Sequence, residues 1–390
     1  MKNKFDIKDE EIFLLGLCRL SFGAELRVML LALAETINDW SYFTELANKH
    51  GVEALVYHNL QTLDFLKYVP PEQASRLHNA LMVNVSRNTS KIRSLAGVMK
   101  LLDKWNIRTV MLKGMALELM VYGNCGLRQM TDVDVLTTRE ESARAREILM
   151  KNGFKSYPVK SFLHIPILAD IGKHLPTLEK DGFAIEFHHE LFGIKKHLLT
   201  GLLFDTGTLF DTDLVRVFLP QPQIFFLYLV RHLHLHERNN ESQLRLYADL
   251  VVMIEKYRDE IINIDLLSHA LKARMGDILA WKLEPLRDLW GISFPDWLNS
   301  YIDKWYDPAS VNKFIFFLKS PKGNPLPDRA KTYRRTVKEI PGIHRKILFI
   351  LGDLFPTITF MKRRYNCRNY LQAFFHYPLR LGKLWYLIKF

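Results

Sequence analysis

The stretch Ile107-Arg-Thr-Val-Met-Leu112 constrains the fold more than any other. It is short, apolar and rich in β-branched residues, and it runs straight into Lys113-Gly114, so it reads as a strand ending in a turn. Most of what surrounds it is helical in texture. Ile12 to Leu20 opens a first helix. Asp39 then precedes Trp40–His50, with Gly51 behind it: an N-cap, an amphipathic face and a glycine stop. Val52–Leu63 and Glu72–Leu102 continue the helical pattern.

The strand-like texture lasts only to about residue 190. Met115–Tyr122 has helical spacing, and a loop from Gly123 to Met130 leads to Thr131-Asp-Val-Asp-Val-Leu136, a second strand. A helix is expected over Arg139–Asn152, ending at Gly153. Phe183-Ala-Ile-Glu-Phe-His188 follows the Asp181-Gly182 turn as another strand. Helices return after Pro220, at Pro222–His236, Gln243–Tyr257, Ile264–Met275 and Ile278–Trp290. The fold class is therefore α+β, a small mixed sheet flanked by N- and C-terminal helical regions. The texture divides the chain into an N-terminal helical region (1–100), a sheet-bearing core (101–205), a helical domain (206–320) and a basic, aromatic C-terminal segment (321–390).

Chemistry enters at Asp132-Val133-Asp134. On a strand, alternation sets both carboxylates on one face. Two anions a few ångströms apart repel and raise each other's pKa, so a protein that holds them together usually supplies a cation. Hard oxygen ligands select Mg²⁺ or Mn²⁺. The plainer alternative is a solvated strand end with incidental acids. The context favours a site: Gly114 lets a backbone approach a phosphate at a helix start, and Glu186 adds a third carboxylate on a later strand. Two aspartates and a distant acid suit two-metal phosphoryl transfer.

Leu112-Lys-Gly-Met-Ala-Leu117, Tyr122, Leu127-Arg128, Thr131-Asp-Val-Asp-Val-Leu136 and Ile185-Glu-Phe-His188 resemble the uncharacterised bacterial nucleotidyltransferase family, within the polymerase-β-like superfamily. Arg231-His-Leu-His234 with Leu244–Asp249, and Phe355-Pro356 with Phe360–Tyr365, resemble its later segments. The likeness implies that the core is a nucleotidyltransferase core and that the chain is an Mg²⁺-dependent transferase. It would move a nucleoside monophosphate from an NTP to a hydroxyl or phosphate acceptor. Asp132, Asp134 and Glu186 would be the metal-binding, catalytic carboxylates. Lys113, Gly114 and Arg128 would face the nucleotide's phosphates, with surface or structural ion pairing as the alternative for the two cations. The turn departs from the superfamily pattern, because Met115 stands where a serine usually touches phosphate. That departure keeps a second reading open, a catalytically inactive nucleotide sensor or partner-docking module.

Histidines offer further candidates. His188 shares a strand face with Glu186 and could orient it. His232 and His236 are four apart on one helix, without zincin spacing. Arg231 and His236 match a short arginine-histidine ribonuclease pattern that chance produces easily. A buried hydrogen bond between His232 or His234 and Asp249 is the favoured arrangement, and Asp249 is the alternative base for the acceptor hydroxyl. The sequence carries no nucleophile elbow, Walker loop or dinucleotide fingerprint, which leaves serine hydrolase, P-loop and oxidoreductase chemistry unsupported.

The net charge of +12 is concentrated in one place. Residues 321–390 hold 15 Lys/Arg against 3 Asp/Glu, with prolines 321, 325 and 327 marking a linker. Packed helices with solvated cations are one reading of this segment. An anionic membrane surface, at ~1 kcal/mol per Lys or Arg, and nucleic acid, through stacking and phosphate contacts, are the others. Three scattered cysteines (18, 125 and 367), no apolar stretch of membrane-spanning length and no signal-peptide core point to a cytoplasmic protein, peripheral to the membrane if the tail engages lipid.

Overall fold

The computed structural model describes residues 6–167, 172–193, 197–239, 241–320, 329–380 and 382. The expected linker at 321–327 and most of Arg380–Phe390 lie outside them. Helices α1 (Asp9–Leu17), α2 (Ala24–Thr36), α3 (Trp40–His50), α4 (Glu53–Thr62) and α5 (Pro71–Asp103) precede the first strand. The caps form as the residues dictate: Asp39 accepts from the Tyr42 amide, and Gly51 takes a left-handed φ of 67°. Strand β1 (Val110–Met111) is shorter than its apolar run. Helix α6 (Lys113–Leu117), β2 (Val133–Leu136), α7 (Arg139–Lys151), β3 (Lys155–Ser156), β4 (Leu178–Lys180), β5 (Phe183–His188), α8 (Leu198–Asp205), β6 (Thr208–Asp211) and β7 (Arg216–Leu219) follow. The strands form one mixed sheet in the order β3-β4-β5-β2-β1-β7-β6. The β6–β7 hairpin and the short β3 and β4 were not evident in the sequence. The helices α9 (Pro222–Arg238), α10 (Leu244–Ile261), α11 (Asp265–Lys272), α12 (Gly276–Asp288), α13 (Asp296–Lys304) and α14 (Pro308–Lys319) come next. Helices α15 (Arg329–Glu339), α16 (Ile343–Leu354), α17 (Ile358–Arg364) and α18 (Tyr370–Phe375) come last. Among the described residues no helix is long and apolar enough to cross a membrane.

The chain packs as two compact units, each assembled from distant segments. The first gathers residues 1–97, 111–133 and 205–325, and the second gathers 98–110, 134–204 and 326–390. In the first unit Phe13, Trp40 and Phe43 interlock, with ring centroids 5.3 to 6.0 Å apart. Tyr247, Trp290 and Phe314 form a second aromatic cluster there. Such pairs add to area burial through edge-to-face and offset contacts. In the second unit β3, β4 and β5 pair antiparallel, with Leu178 opposite Ile185, and both of these side chains are buried.

The helical stretch after β1 widens in its last turn, where the Gly123 amide reaches back to the Glu118 carbonyl five residues earlier. Glu118 is buried in that turn, and its Oε2 meets no hydrogen-bond partner among the described residues. Burial pushes its carboxyl up to about 7, against the opposing pull of the Arg128 charge and the Asn124 backbone. The folded protein therefore holds a proton that the unfolded chain has released between pH ~4.5 and ~7. Stability from this group is full below that window and falls as pH rises through it, by about 3 kcal/mol in all. Glu118→Gln is expected to remove this slope. The difference in urea-unfolding free energy between variant and wild type should be near zero at pH 4.5 and favour the variant at pH 8.

Candidate functional site

Two arrangements, one in each unit, bear on chemistry. In the second unit β5 carries Glu186 and His188 on one face, as alternation requires, and β2 carries Asp134. The His188 Nε2 lies 2.7 Å from Asp134 Oδ1 and 3.5 Å from Glu186 Oε2. One ligand atom from each of Asp134, Glu186 and His188 falls within 4.8 Å of the others. Asp134 and His188 are each 2% exposed at the side chain, and Glu186 is 17% exposed. Its Oε1 accepts from the Thr177 hydroxyl at 2.7 Å. Burial would raise the Glu186 carboxyl, but the His188 hydrogen bond, the nearby His174 and the Thr177 hydroxyl outweigh it and hold it down at about 2. Two carboxylates and an imidazole in this spacing are a donor set that a divalent cation accepts. The Nδ1 of His188 is buried and meets no partner among the described residues. The ring is thus held from its Nε2 side, by the carboxylates.

In the first unit the centre is a buried ion pair. Arg128 donates from Nε to Asp249 Oδ1 at 2.8 Å and from Nη2 to Oδ2 at 2.7 Å, with 7% and 1% of the side chains exposed. The Tyr122 hydroxyl donates to the same Oδ1 at 3.0 Å. Burial would lower the arginine's pKa, but the Asp249 carboxylate more than offsets it and keeps the guanidinium charged. The Asp249 oxygens are met by Arg128 and Tyr122 in place of the expected histidine among the described residues. The His232 ring instead lies against Tyr228 and His236, with centroids 5.8 and 4.4 Å away.

Gly114 belongs to this pair. A Cβ on it would meet Arg128 Nη1 at 2.5 Å and Met130 Cγ at 2.8 Å. Its missing side chain therefore makes room for the arginine head. Lys113, beside it, takes a left-handed φ of 46°, a conformation that costs a non-glycine residue on the order of 1 kcal/mol. Met115 is buried, so the turn presents no side-chain hydroxyl there.

The loop before Asp132 is clamped by its carbonyl groups. Asn88 of α5 donates to the carbonyls of Cys125 and Arg128 at 2.5 and 2.8 Å, and Asn84 donates to Gly126 at 3.2 Å. Arg245 of α10 donates to the Gln129 carbonyl at 2.6 Å, and Arg128 Nη1 reaches the same oxygen at 3.3 Å. Two guanidinium groups thus converge on one carbonyl, and among the described residues it is Arg128 that is ion-paired with a carboxylate. Burial, then the Arg128 charge, push Arg245 down to about 10, while Asp249 and Asp132 pull the other way. Lys91 is buried on α5 and is also lowered, by burial and the Arg87 charge, against the attraction of Asp132. Asp132 itself sits in a bend just before β2 and is partly exposed.

Sequence reasoning did not single out Arg245 or Lys91. Arg245 could have been found, since it lies four residues before Asp249 on a helix and so shares its face. Nothing local distinguishes Lys91 from the other cations of α5. Removing one partner of the buried pair strands a charge, at a cost of about 3–5 kcal/mol. Asp249→Asn should therefore lower stability by about that amount. Gly114→Ala should do so by less, about 1–3 kcal/mol, through crowding of Arg128. Both are read from urea midpoints, and an unchanged Asp249→Asn midpoint would remove the pair from its central place.

A profile of the family described as uncharacterised nucleotidyltransferase matches residues 37–289, a span that holds Gly114, Arg128, Asp134, Glu186, His188 and Asp249. No curated protein matches the chain. With the profile covering well over half of the sequence and both arrangements inside it, the chain belongs to the uncharacterised nucleotidyltransferase family.

Proposed function

We propose that this chain transfers a nucleoside monophosphate from an NTP to a hydroxyl or phosphate acceptor, with release of pyrophosphate. The observation that carries the reading is the convergence of Asp134 and Glu186, 52 residues apart in sequence, on His188 in a chain of this family. The donor set fits a hard divalent ion, Mg²⁺ or Mn²⁺, held by Asp134 and Glu186 with His188 as a further ligand or as the group that orients them. Such an ion would supply charge neutralisation at the phosphates and acidify the acceptor hydroxyl. In the two-metal form of the reaction, Asp132 joins Asp134 as the second carboxylate of the Asp-x-Asp motif and takes the nucleotide side.

The remaining roles follow from charge and burial. An oxygen of the acceptor attacks the α-phosphorus as the bond to the bridging oxygen of pyrophosphate breaks. The acceptor's proton is lost to solvent or to a carboxylate of the site as the bond forms, and Glu186, being ionised, is suited to hold an ion that would acidify the acceptor hydroxyl. Asp249 is better suited to anchoring, since Arg128 and Tyr122 occupy its oxygens. Arg128 is committed to that anchor, so of the two cations expected at the phosphates Lys113 is the one this reading keeps.

A second reading, nucleotide binding without turnover, is favoured by the buried Met115 at the position where the superfamily turn carries serine. The experiment separates the two. Each of the four NTPs is added with Mg²⁺ and a panel of hydroxyl- and phosphate-bearing acceptors to wild type and to Asp134→Asn, with melting temperature and pyrophosphate release recorded. A nucleotide at 100 times its Kd stabilises by ~2.7 kcal/mol, enough to raise the transition measurably. The expected result is a shift that needs Mg²⁺ in wild type, with pyrophosphate release lowered on the order of 100-fold in the variant. A shift without release supports the binding reading. Release that survives Asp134→Asn at the wild-type rate overturns the site assignment.

A further inference from the structure

The C-terminal segment carries an apolar face that the fold leaves uncovered. Helix α18 is amphipathic in the reverse of the usual sense. It buries only Ala373, at 0% exposure, and turns Tyr370, Leu371, Phe374 and Phe375 outward at 56, 67, 63 and 67%. Leu379, four residues beyond Phe375 and 60% exposed, prolongs the same stripe. Spacings of one, three and four place these side chains on one face of a helix.

The segment is well anchored, so this exposure is not that of a loose end. The Ser161 hydroxyl donates to the Phe355 carbonyl at 3.2 Å, and the Thr357 amide donates to the Lys160 carbonyl at 2.8 Å. The Tyr365 and His376 rings stack at 4.5 Å, the Tyr377 hydroxyl donates to the Pro356 carbonyl at 2.5 Å, and Arg380 donates to the Asp353 carbonyl at 3.1 Å. The stripe is thus presented on a built support.

Charge selects what the stripe can meet. Asp353 is the only Asp or Glu between Ile340 and Phe390, and it is buried, with Lys160 as its ion-pair partner. Among the described residues beyond Ile340, the charged side chains exposed to solvent are therefore all positive. Arg363, Arg364 and Arg368 are exposed beside the stripe in sequence, and the Lys362 ammonium sits 4.7 Å from the Tyr370 ring centroid.

We infer that this face docks on an anionic lipid surface, with Leu371, Phe374, Phe375 and Leu379 entering the acyl boundary and Lys362, Arg363, Arg364 and Arg368 meeting the headgroups. Aromatic and leucine side chains on one face, with Lys and Arg at its edge, match the requirements of an interfacial helix. A second copy of the chain fits less well, because a two-fold contact would set the same arginines against each other. Nucleic acid would use phosphate contacts and aromatic stacking, and would leave Leu371 and Leu379 without a role. The inference is independent of the transfer reaction.

The test uses the full chain and sedimentation with vesicles of phosphatidylcholine, alone or with about a third phosphatidylserine. Binding is expected only to the anionic vesicles and should weaken with added salt. The pair Phe374→Ser and Phe375→Ser should lower partitioning at least about ten-fold. Arg363→Ala with Arg364→Ala should lower it about twenty-five-fold, from the roughly five-fold that each cation contributes. All four side chains are exposed, so circular dichroism and melting should match wild type, and Leu371→Ser serves as the alternative if the paired change disturbs folding. No sedimentation with anionic vesicles overturns the inference. So does a wild-type dimer that the serine pair makes monomeric, which would assign the face to a second copy. Binding of a labelled single-stranded RNA that the arginine pair weakens, with vesicles left unbound, overturns it in favour of nucleic acid.

Discussion

The buried pair of Arg128 and Asp249 organises the first unit. A guanidinium and a carboxylate withdrawn from water are costly to desolvate, and only close bidentate contact with every remaining donor and acceptor met makes the arrangement tolerable. The chain meets those terms from three directions. Tyr122 caps one carboxylate oxygen, and the Gln129 carbonyl takes the third guanidinium nitrogen. Gly114 supplies the space in which the arginine head fits. The turn after β1, the loop before Asp132 and helix α10 are thereby tied to one geometry. Small changes at Gly114 are felt at Arg128, and through it along the loop that leads to the Asp-x-Asp motif.

The carboxylate cluster rests on simpler physics. Strand alternation brings Glu186 and His188 to one face of β5, and Asp134 is held by a hydrogen bond to the same imidazole. Keeping Glu186 ionised in a half-buried position requires partners, and Thr177, His174 and His188 supply them. A group that binds a hard cation must be deprotonated at working pH, and these neighbours meet that condition before any ion arrives.

The C-terminal segment has one of the arrangements that its basic, aromatic composition left open, that of packed helices. Helix α16 lies against the His164 region, with His164 stacked on Phe349 at 4.9 Å. Beyond Ile340 its one acid, Asp353, is withdrawn from solvent, which leaves an outward surface of cations and apolar rings there. Burying Ala373 rather than the rings of α18 removes little apolar area from water on folding, so that face retains its affinity for an apolar surface.

Much of the secondary structure was legible because it depends on near neighbours. Asp39 and Gly51 delimit α3, the helix after Thr138 follows its capping box, and Phe183–His188 alternates as a strand must. The Asp-x-Asp motif and its distant glutamate were likewise legible, since residue type and spacing carry that signal. Short strands such as β3 and β4 were not, because two or three residues show no period and pair only when a partner strand is in place. The partner of Asp249 was equally hidden. A histidine on the preceding helix was the nearer candidate, whereas Arg128 reaches it from 121 residues away. Gly114 reads in sequence as freedom to approach a phosphate, and in the fold its lack of a side chain admits an arginine. By itself the sequence determined the helices, the β5 strand and the acids available for chemistry, through interactions that span a few residues. Tertiary structure alone decided which charges meet, which cations stand over the loop before Asp132 and which face of α18 is left to solvent, because burial and ion pairing depend on distance through space.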